Sequence, residues 1–388
     1  MFEVLIWFGV SLPILYHLLI FGLKKLSPNP LPPTEESLVY LSASNPKLPG
    51  LELTSITDPS VTPQVELSVV IPAYNEENRL KSGLSDALEF LESRRTELSR
   101  SDEAHSKQTE NRGGRVEHLS DGARPSDRSG RSIRPGSYEV LIVDDGSKDQ
   151  TSRVALELAI DHSKRAVDPE NQAEIRLIRL GKNRGKGGAV KHGILHSRGE
   201  RILFADADGA SNFSDLTKLM NTLNQISIET STKNHHQNTS SSKFKEAEGR
   251  RTECHGITIG SRAHLVSSES VVSRSKFRNF LMKSFHLYLY ILGLRDIRDT
   301  QCGFKLMTRD TARRIVPTLH VEGWIFDVEL LLIGKLVRPK VPIEEVFIRW
   351  NEVEGSKLSI IRDSIKMAVE LLIVRLNYSL GIWKVPSN

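Results

Sequence analysis

A strand-helix alternation between residues 138 and 220 constrains this chain more than any other feature. Tyr138 to Val143 reads as a strand, Thr151 to Ala166 as a helix and Ile175 to Leu180 as a strand. Gly187 to Ser197 follows as a helix, Arg201 to Ala205 as a strand, and a further helix starts at Ser214. Such a rhythm predicts a mostly parallel sheet covered by helices on both faces. Upstream, Leu67 to Ile71 is a short apolar strand ended by Pro72, and Leu80, Leu84, Leu88 and Leu91 recur at helical spacing. Ligands on a sheet of this kind bind beyond the carboxyl ends of its strands. Chemistry is therefore expected just after Ile71, Val143 and Ala205.

All three places carry acidic or amide side chains. Pro72-Ala73-Tyr74-Asn75-Glu76 follows the first strand, Asp144-Asp145-Gly146-Ser147 the second, and Asp206-Ala207-Asp208 the strand at 201–205. One such turn is ordinary, because Asp, Asn and Gly are common turn and cap residues. Three in neighbouring β-α units are hard to reach by chance. Two carboxylates spaced i, i+2 at a strand end can share Mg²⁺ or Mn²⁺ and leave coordination positions open for phosphate oxygens. The other acidic ends can accept hydrogen bonds from a base and a ribose. Asp206 and Asp208 are thus the candidate metal ligands, with Pro72, Tyr74, Asn75, Glu76, Asp144 and Asp145 as candidate donor-nucleotide residues.

Gly181 to Gly188 is glycine-rich but fits neither G-x-x-x-x-G-K-[ST] nor G-x-G-x-x-G. It opens a helix, so Asn183, Arg184 and Lys186 can face a diphosphate. An NTPase or a nicotinamide dehydrogenase is disfavoured.

The rest of the chain sets the context. Val4 to Leu23 is an uncharged run followed by Lys24 and Lys25, long enough to span a bilayer with its C-terminal side cytosolic. Residues 1–26 are expected to be a membrane anchor and 27–65 a proline-rich linker. Residues 66–350 form the expected catalytic domain, with disordered insertions at about 93–137 and 229–255, where apolar content is low. Two distant cysteines in 388 residues suit a reducing compartment. The net charge of +5 favours anionic partners, while the lack of a basic block or a zinc-finger spacing leaves no expectation of nucleic acid.

The motifs P-A-Y-N-E, V-D-D-G-S, N-R-G-K-G-G-A and D-A-D-G resemble the inverting GT-A glycosyltransferases that use nucleotide sugars. Together with Thr300 to Lys305 and Glu322 to Glu329, they resemble most the dolichyl-phosphate β-glucosyltransferase branch. The resemblance implies a Rossmann-like GT-A fold, glucose transfer from UDP-glucose to dolichyl phosphate for protein N-glycosylation, and an endoplasmic reticulum membrane protein whose catalytic domain faces the cytosol. It implies that Asp145 holds uracil or ribose beside Tyr74, Asn75 and Glu76, that Asp206 and Asp208 hold metal and diphosphate, and that Gln301 lies near the sugar. Asp327 falls where related enzymes place an acidic group near the acceptor.

A phosphate monoester is mostly deprotonated at neutral pH, its second pKa being near 6. Asp327 is therefore expected to position acceptor or sugar at least as much as to remove a proton. Bringing two anionic phosphates together needs positive charge, for which Arg262, Arg349 and Lys357 are the candidates. Val271 to Leu294 mixes basic and aromatic residues on a helical pattern. Residues 351–388 include a long apolar helix with Arg362, Lys366 and Glu370 as a polar stripe. Both read as helices on the membrane surface. The competing readings are a polyprenyl-phosphate mannosyltransferase using GDP-mannose and, from another class, an inactive nucleotide-binding scaffold.

Overall fold

The computed structural model describes residues 17–111, 133–165, 173–238, 253–267, 294, 296–351, 353 and 360–386. A nine-stranded sheet runs in the order β2-β1-β5-β4-β3-β6-β8-β7-β9. Its centre is β3 (Val65–Ala73), β4 (Tyr138–Asp144), β5 (Ala173–Arg179) and β6 (Gly199–Ala205), all mutually parallel. Every residue of β4 is buried. Successive side chains point to opposite faces of a strand, so both faces of the sheet are covered there, as continuous apolar runs require. Beyond β6 the sheet is mixed: β8 (Phe304–Thr308) runs antiparallel to β6 and to β7 (Ile257–Ser261), and β9 (Ile343–Phe347) is parallel to β7.

The helices are α1 (17–26), α2 (Leu80–Asn111), α3 (Thr151–Arg165), α4 (Lys186–Leu195) and α5 (Leu216–Asn238), then α6 (Arg309–Ile315), α7 (Phe326–Leu336) and α8 (Ile360–Ser379). Pro72 is tolerated inside β3 because the β6 pairing stops at Val70, so the missing N–H faces no ladder partner on that side.

At the N-terminal end of the parallel strands lies a buried ion cluster. The Glu139 carboxylate accepts from Ser68 Oγ at 2.5 Å, from Arg176 at 2.8 Å, and from the Arg198 guanidinium at 2.8 Å and its backbone N–H at 2.6 Å. Burial opposes its charge, but Arg198 and Arg176 prevail and hold its pKa at about 2. This end of the sheet is locked by charge, while the strand-end carboxylates of Asp144, Asp145, Asp206 and Asp208 lie at the other end.

Four expectations change. The segment 27–65 is not a free linker. A 3-10 turn (Glu35–Leu38) leads into β1 (Val39–Ser42), which pairs with β5 and with β2 (Leu51–Glu52), and fully buried Ile56 donates its N–H to Leu195 O at 2.8 Å. Helix α2 carries on to Asn111 through much of the expected insertion, and α5 reaches Asn238. Once a core-packed turn has nucleated a helix, extension is cheap even for polar residues, and neither 94–111 nor 229–238 contains Gly or Pro. Residues 112–132 and 239–252 lie outside the described residues.

The expected membrane span lies mostly in 1–16, also outside the described residues. Among those described, no helix is long and apolar enough to cross a membrane. Val271 to Gly293 and Lys357 are likewise outside. Helix α8 confirms a helical C-terminal segment, but it is not wholly a surface element: Leu371, Val374, Asn377 and Tyr378 are buried, while Ile365, Val369 and Leu372 are exposed. Lys366 and Glu370 of the expected polar stripe pair one turn apart at 3.7 Å, with Lys366 exposed and Glu370 half-buried.

Candidate active site

The loops after β3 and β4 are sewn to each other. Asn75, in a left-handed conformation (φ 52°), receives Lys148 N–H on Oδ1 at 2.8 Å and donates its own N–H to Ser147 Oγ at 2.9 Å. Glu76 N–H donates to Thr151 Oγ1 at 2.7 Å, and its carboxylate pairs with Arg79 at 2.8 Å. Asp144 accepts from Ser147 N–H at 2.9 Å and from the Ser152 hydroxyl. These contacts hold the two loops together.

Asp145 has backbone partners on the next loop. Its two carboxylate oxygens accept the backbone N–H groups of Arg184 at 2.7 Å and Gly185 at 2.9 Å. Burial, with the neighbouring Asp144 charge adding to it, pushes its carboxyl up to about 7 against those two hydrogen bonds. As placed here, Asp145 fixes the glycine-rich turn, and its influence on a nucleotide would pass through that turn. Arg184 in turn forms an ion pair with Glu322, whose backbone oxygen accepts Gly188 N–H at 3.1 Å. A Cβ on Gly187 would fall 2.9 Å from Gly323 O, so only a glycine lets this turn press against the 322–324 segment.

The turn delivers Lys186 to the carboxylates after β6. Its Nζ stands 2.6 Å from Asp206 Oδ1, 5.4 Å from the centre of the Phe204 ring and 5.5 Å from that of Trp324. Burial opposes its charge, but Asp206 and then Asp327 more than offset this and raise its pKa. Asp208, two residues on, accepts Ala210 N–H at 3.0 Å on one oxygen. Beneath them Lys305 is fully buried and donates to Asp327 Oδ1 at 2.7 Å and Cys302 O at 2.6 Å. Burial holds the Asp327 carboxyl above the usual carboxylate range, with Lys305 and Lys186 acting the other way. Gly303, between Gln301 and Lys305, packs against Asp206 so tightly that a Cβ there would lie 2.7 Å from Oδ1 and nearer still to Oδ2.

The three cationic candidates for an acceptor phosphate separate. Arg262 is gripped by Asp299 through Nε at 2.7 Å and Nη2 at 2.8 Å and lies over the Trp350 ring at 5.4 Å. Burial opposes its charge, but Asp299 and more weakly Asp206 raise it. It is therefore a fixed cation within reach of the site's field. Arg349 instead binds Ser214 and Asp215 at the start of α5, with its side chain 64% exposed. It ties the segment after β9 to the turn beyond Asp208 and does not join the carboxylate cluster. Lys357 lies outside the described residues. Gln301 is half-buried on the turn just before Gly303.

Sequence reasoning assigned no role to Lys305, Gly303, Glu322 or Glu329, although all stand inside recognised motifs. Glu329 is fully buried and accepts His320 N–H at 3.0 Å, Val321 N–H at 2.7 Å and the Tyr378 hydroxyl at 2.9 Å. His320 stacks on Trp383 with ring centres 4.0 Å apart. The C-terminal segment thus clasps the loop that carries Glu322 and Trp324. A buried acidic residue beside a cluster of apolar positions on a helix is the one signal that could have pointed to Glu329.

Two carboxylates, Asp206 and Asp208, offer hard oxygen ligands of the kind Mg²⁺ and Mn²⁺ prefer. Among the described residues, no group of three acidic, histidine or cysteine side chains could hold an ion unaided. The set fits an ion whose remaining ligands come from a bound diphosphate and water.

Glycosyl transferase family 2 matches residues 129–281. The "Dolichyl-phosphate beta-glucosyltransferase" of Saccharomyces cerevisiae is 38% identical over 379 residues, covering 97% of this chain and 93% of the relative. The protein of that name from Homo sapiens is 40% identical over 354 residues, covering 91% and 86%. Among solved structures, glucosyl-3-phosphoglycerate synthase from Mycobacterium tuberculosis with Mn²⁺ and UDP-glucose shares 15% identity at a TM-score of 0.40, covering 82% of this chain and 79% of that one, a likeness too loose to bear on ligand or metal.

Proposed function

The chain belongs to the dolichyl-phosphate β-glucosyltransferases, and we propose that it moves glucose from UDP-glucose to dolichyl phosphate, giving dolichyl β-D-glucosyl phosphate and UDP. The observation that carries this reading at the level of chemistry is the cluster at the ends of β6 and β8. There Lys186 pairs with Asp206, two residues before Asp208, beside the buried pair Asp327 and Lys305. Asp206 and Asp208 would hold Mg²⁺ or Mn²⁺, which when bound stabilises the negative charge growing on the leaving diphosphate.

The protein's own groups then have distinct tasks. Asp145 and Glu322 fix the turn that presents Lys186, so that its ammonium is held where the diphosphate must lie. Arg262, braced by Asp299, supplies fixed positive charge on the acceptor side without the entropy loss of ordering a free side chain. Asp327 is 2% exposed and engaged by Lys305. That supports a positioning and electrostatic role over proton removal, in keeping with an acceptor oxygen that is already ionised. Gln301 would sit near the sugar, on the turn that also sets Asp206.

The exposed Leu18, Leu19, Phe21 and Leu26 of α1 and the exposed Ile365, Val369 and Leu372 of α8 support a bilayer-facing side. The two helices are tied where Asn377 Nδ2 donates to Ser27 Oγ at 2.9 Å. An anchor in the endoplasmic reticulum membrane, with the catalytic domain in the cytosol, completes the reading.

The test is transfer of labelled glucose from UDP-glucose to dolichyl phosphate by the full chain in detergent. It is run with Mg²⁺ or Mn²⁺, then with chelator, beside GDP-mannose and Asp208→Ala. Chelator-sensitive, Asp208-dependent transfer from UDP-glucose is expected. Transfer from GDP-mannose alone would replace the donor, and none from either would refute the activity.

A further inference from the structure

We propose that Lys186 is a resident counter-ion that makes divalent-cation binding conditional on the nucleotide diphosphate. The inference rests on the function argued above and assigns an order of events to that site.

The geometry is specific. Lys186 Nζ lies 2.6 Å from Asp206 Oδ1, so it takes up part of the coordination space that an incoming cation would use. Its backbone cannot retreat, because it opens α4 directly after Gly185, whose N–H is held by Asp145, while Gly188 N–H is held by Glu322 O. The only freedom left is in the side-chain stem, whose tip runs between Phe204 and Trp324. Lys305 cannot take over its task, since it is committed below to Asp327 and Cys302 O.

Charge bookkeeping then decides the order. Asp206, Asp208 and Asp327 face Lys186 and Lys305, leaving the cluster with a single net negative charge. A divalent ion arriving alone reverses that sign and sets two cations against Asp206 in a half-buried site, where repulsion is poorly screened. A diphosphate arriving with the ion supplies the missing negative charge and gives the Lys186 ammonium a new partner. The ion and the nucleotide are therefore strongly coupled, and Lys186 is the group that couples them.

Mn²⁺ binding, read from the electron paramagnetic resonance signal of the free ion, tests this on the full chain in detergent with UDP as the nucleotide probe. The wild type is expected to bind Mn²⁺ weakly alone and on the order of tenfold or more tightly with UDP. Lys186→Met should tighten Mn²⁺ binding without UDP and shrink the gain that UDP brings. Lys186→Arg keeps the charge and should stay weak without UDP. If Lys186→Met binds Mn²⁺ alone no better than the wild type, the proposal is overturned and the function argued above stands. Equal wild-type affinity with and without UDP also overturns it, and needs no variant to fold. Absence of Mn²⁺ binding in every form, even with UDP, overturns both the proposal and the metal site.

Discussion

Gly303→Ala should silence the enzyme while leaving it folded. A methyl group at this position would lie 2.7 Å from Asp206 Oδ1 and closer to Oδ2, against an ordinary contact of 3.4 Å or more. What it meets is the end of a side chain, not backbone, so Asp206 can rotate aside at modest cost to stability. To do so it must give up its 2.6 Å contact with Lys186 and its register with Asp208. A displacement of about 1 Å at a reacting centre costs roughly a hundredfold in rate, which corresponds to about 2.7 kcal/mol of lost transition-state stabilisation. The assay is kcat/KM for glucose transfer from UDP-glucose, paired with thermal unfolding of the same preparation. The expected result is a loss of about a hundredfold with a Tm within a few degrees of wild type. Activity within about threefold of wild type in a folded protein would show that the carboxylate tolerates the move, which refutes the argument.

Lys305→Met should act on stability first. It leaves Asp327 buried without its partner, and breaking such a pair costs about 3 kcal/mol or more, measurable by urea unfolding. A change under about 1 kcal/mol would mean that the pair is not the support described here. Glu139 predicts an acid limb. Its folded pKa of about 2 lies below the ordinary 4.5 of a glutamate, so its stabilisation is present above pH 4.5 and is lost as pH falls towards 2. That contribution is about 3 kcal/mol, taken from the size of the shift. Unfolding free energies of wild type and Glu139→Gln should therefore converge over that window, and parallel curves would refute the assignment.

The order of β-α units, the strand ends that carry the site, and the family were all legible in the sequence. They depend on local periodicity and on short motifs, and both survive in a single chain read alone. What the sequence hid was pairing across distance. Nothing local tells that Asp145 accepts the amides of Arg184 and Gly185, or that Asn75 and Asp144 bond to the 147–148 turn. Acidic and amide residues in such turns look the same whether they face a ligand or a neighbouring loop. Likewise, 27–65 reads as a linker because it is rich in proline. Yet Ile56 and Leu41 find the sheet edge, and the Arg313 and Arg309 side chains donate to the carbonyls of Ile56 and Val61. Helix α8 was legible as apolar, but which of its faces meets protein was not.

The clasp formed by His320, Glu329, Tyr378 and Trp383 bears on the timing of synthesis. A chain emerges from its N-terminus, and the parallel centre β3-β4-β5-β6 is complete once residue 205 has appeared. The loop that carries Glu322 and Trp324 is made more than a hundred residues later. Even then it lacks the Tyr378 hydroxyl on Glu329 and the Trp383 ring on His320. The parallel centre of the sheet is therefore synthesised before the residues that brace the cleft. Until residues 378 and 383 are in place, Glu329 lacks one of its hydrogen-bond donors and His320 its stacking partner, so the loop beside Lys186 is braced only after them.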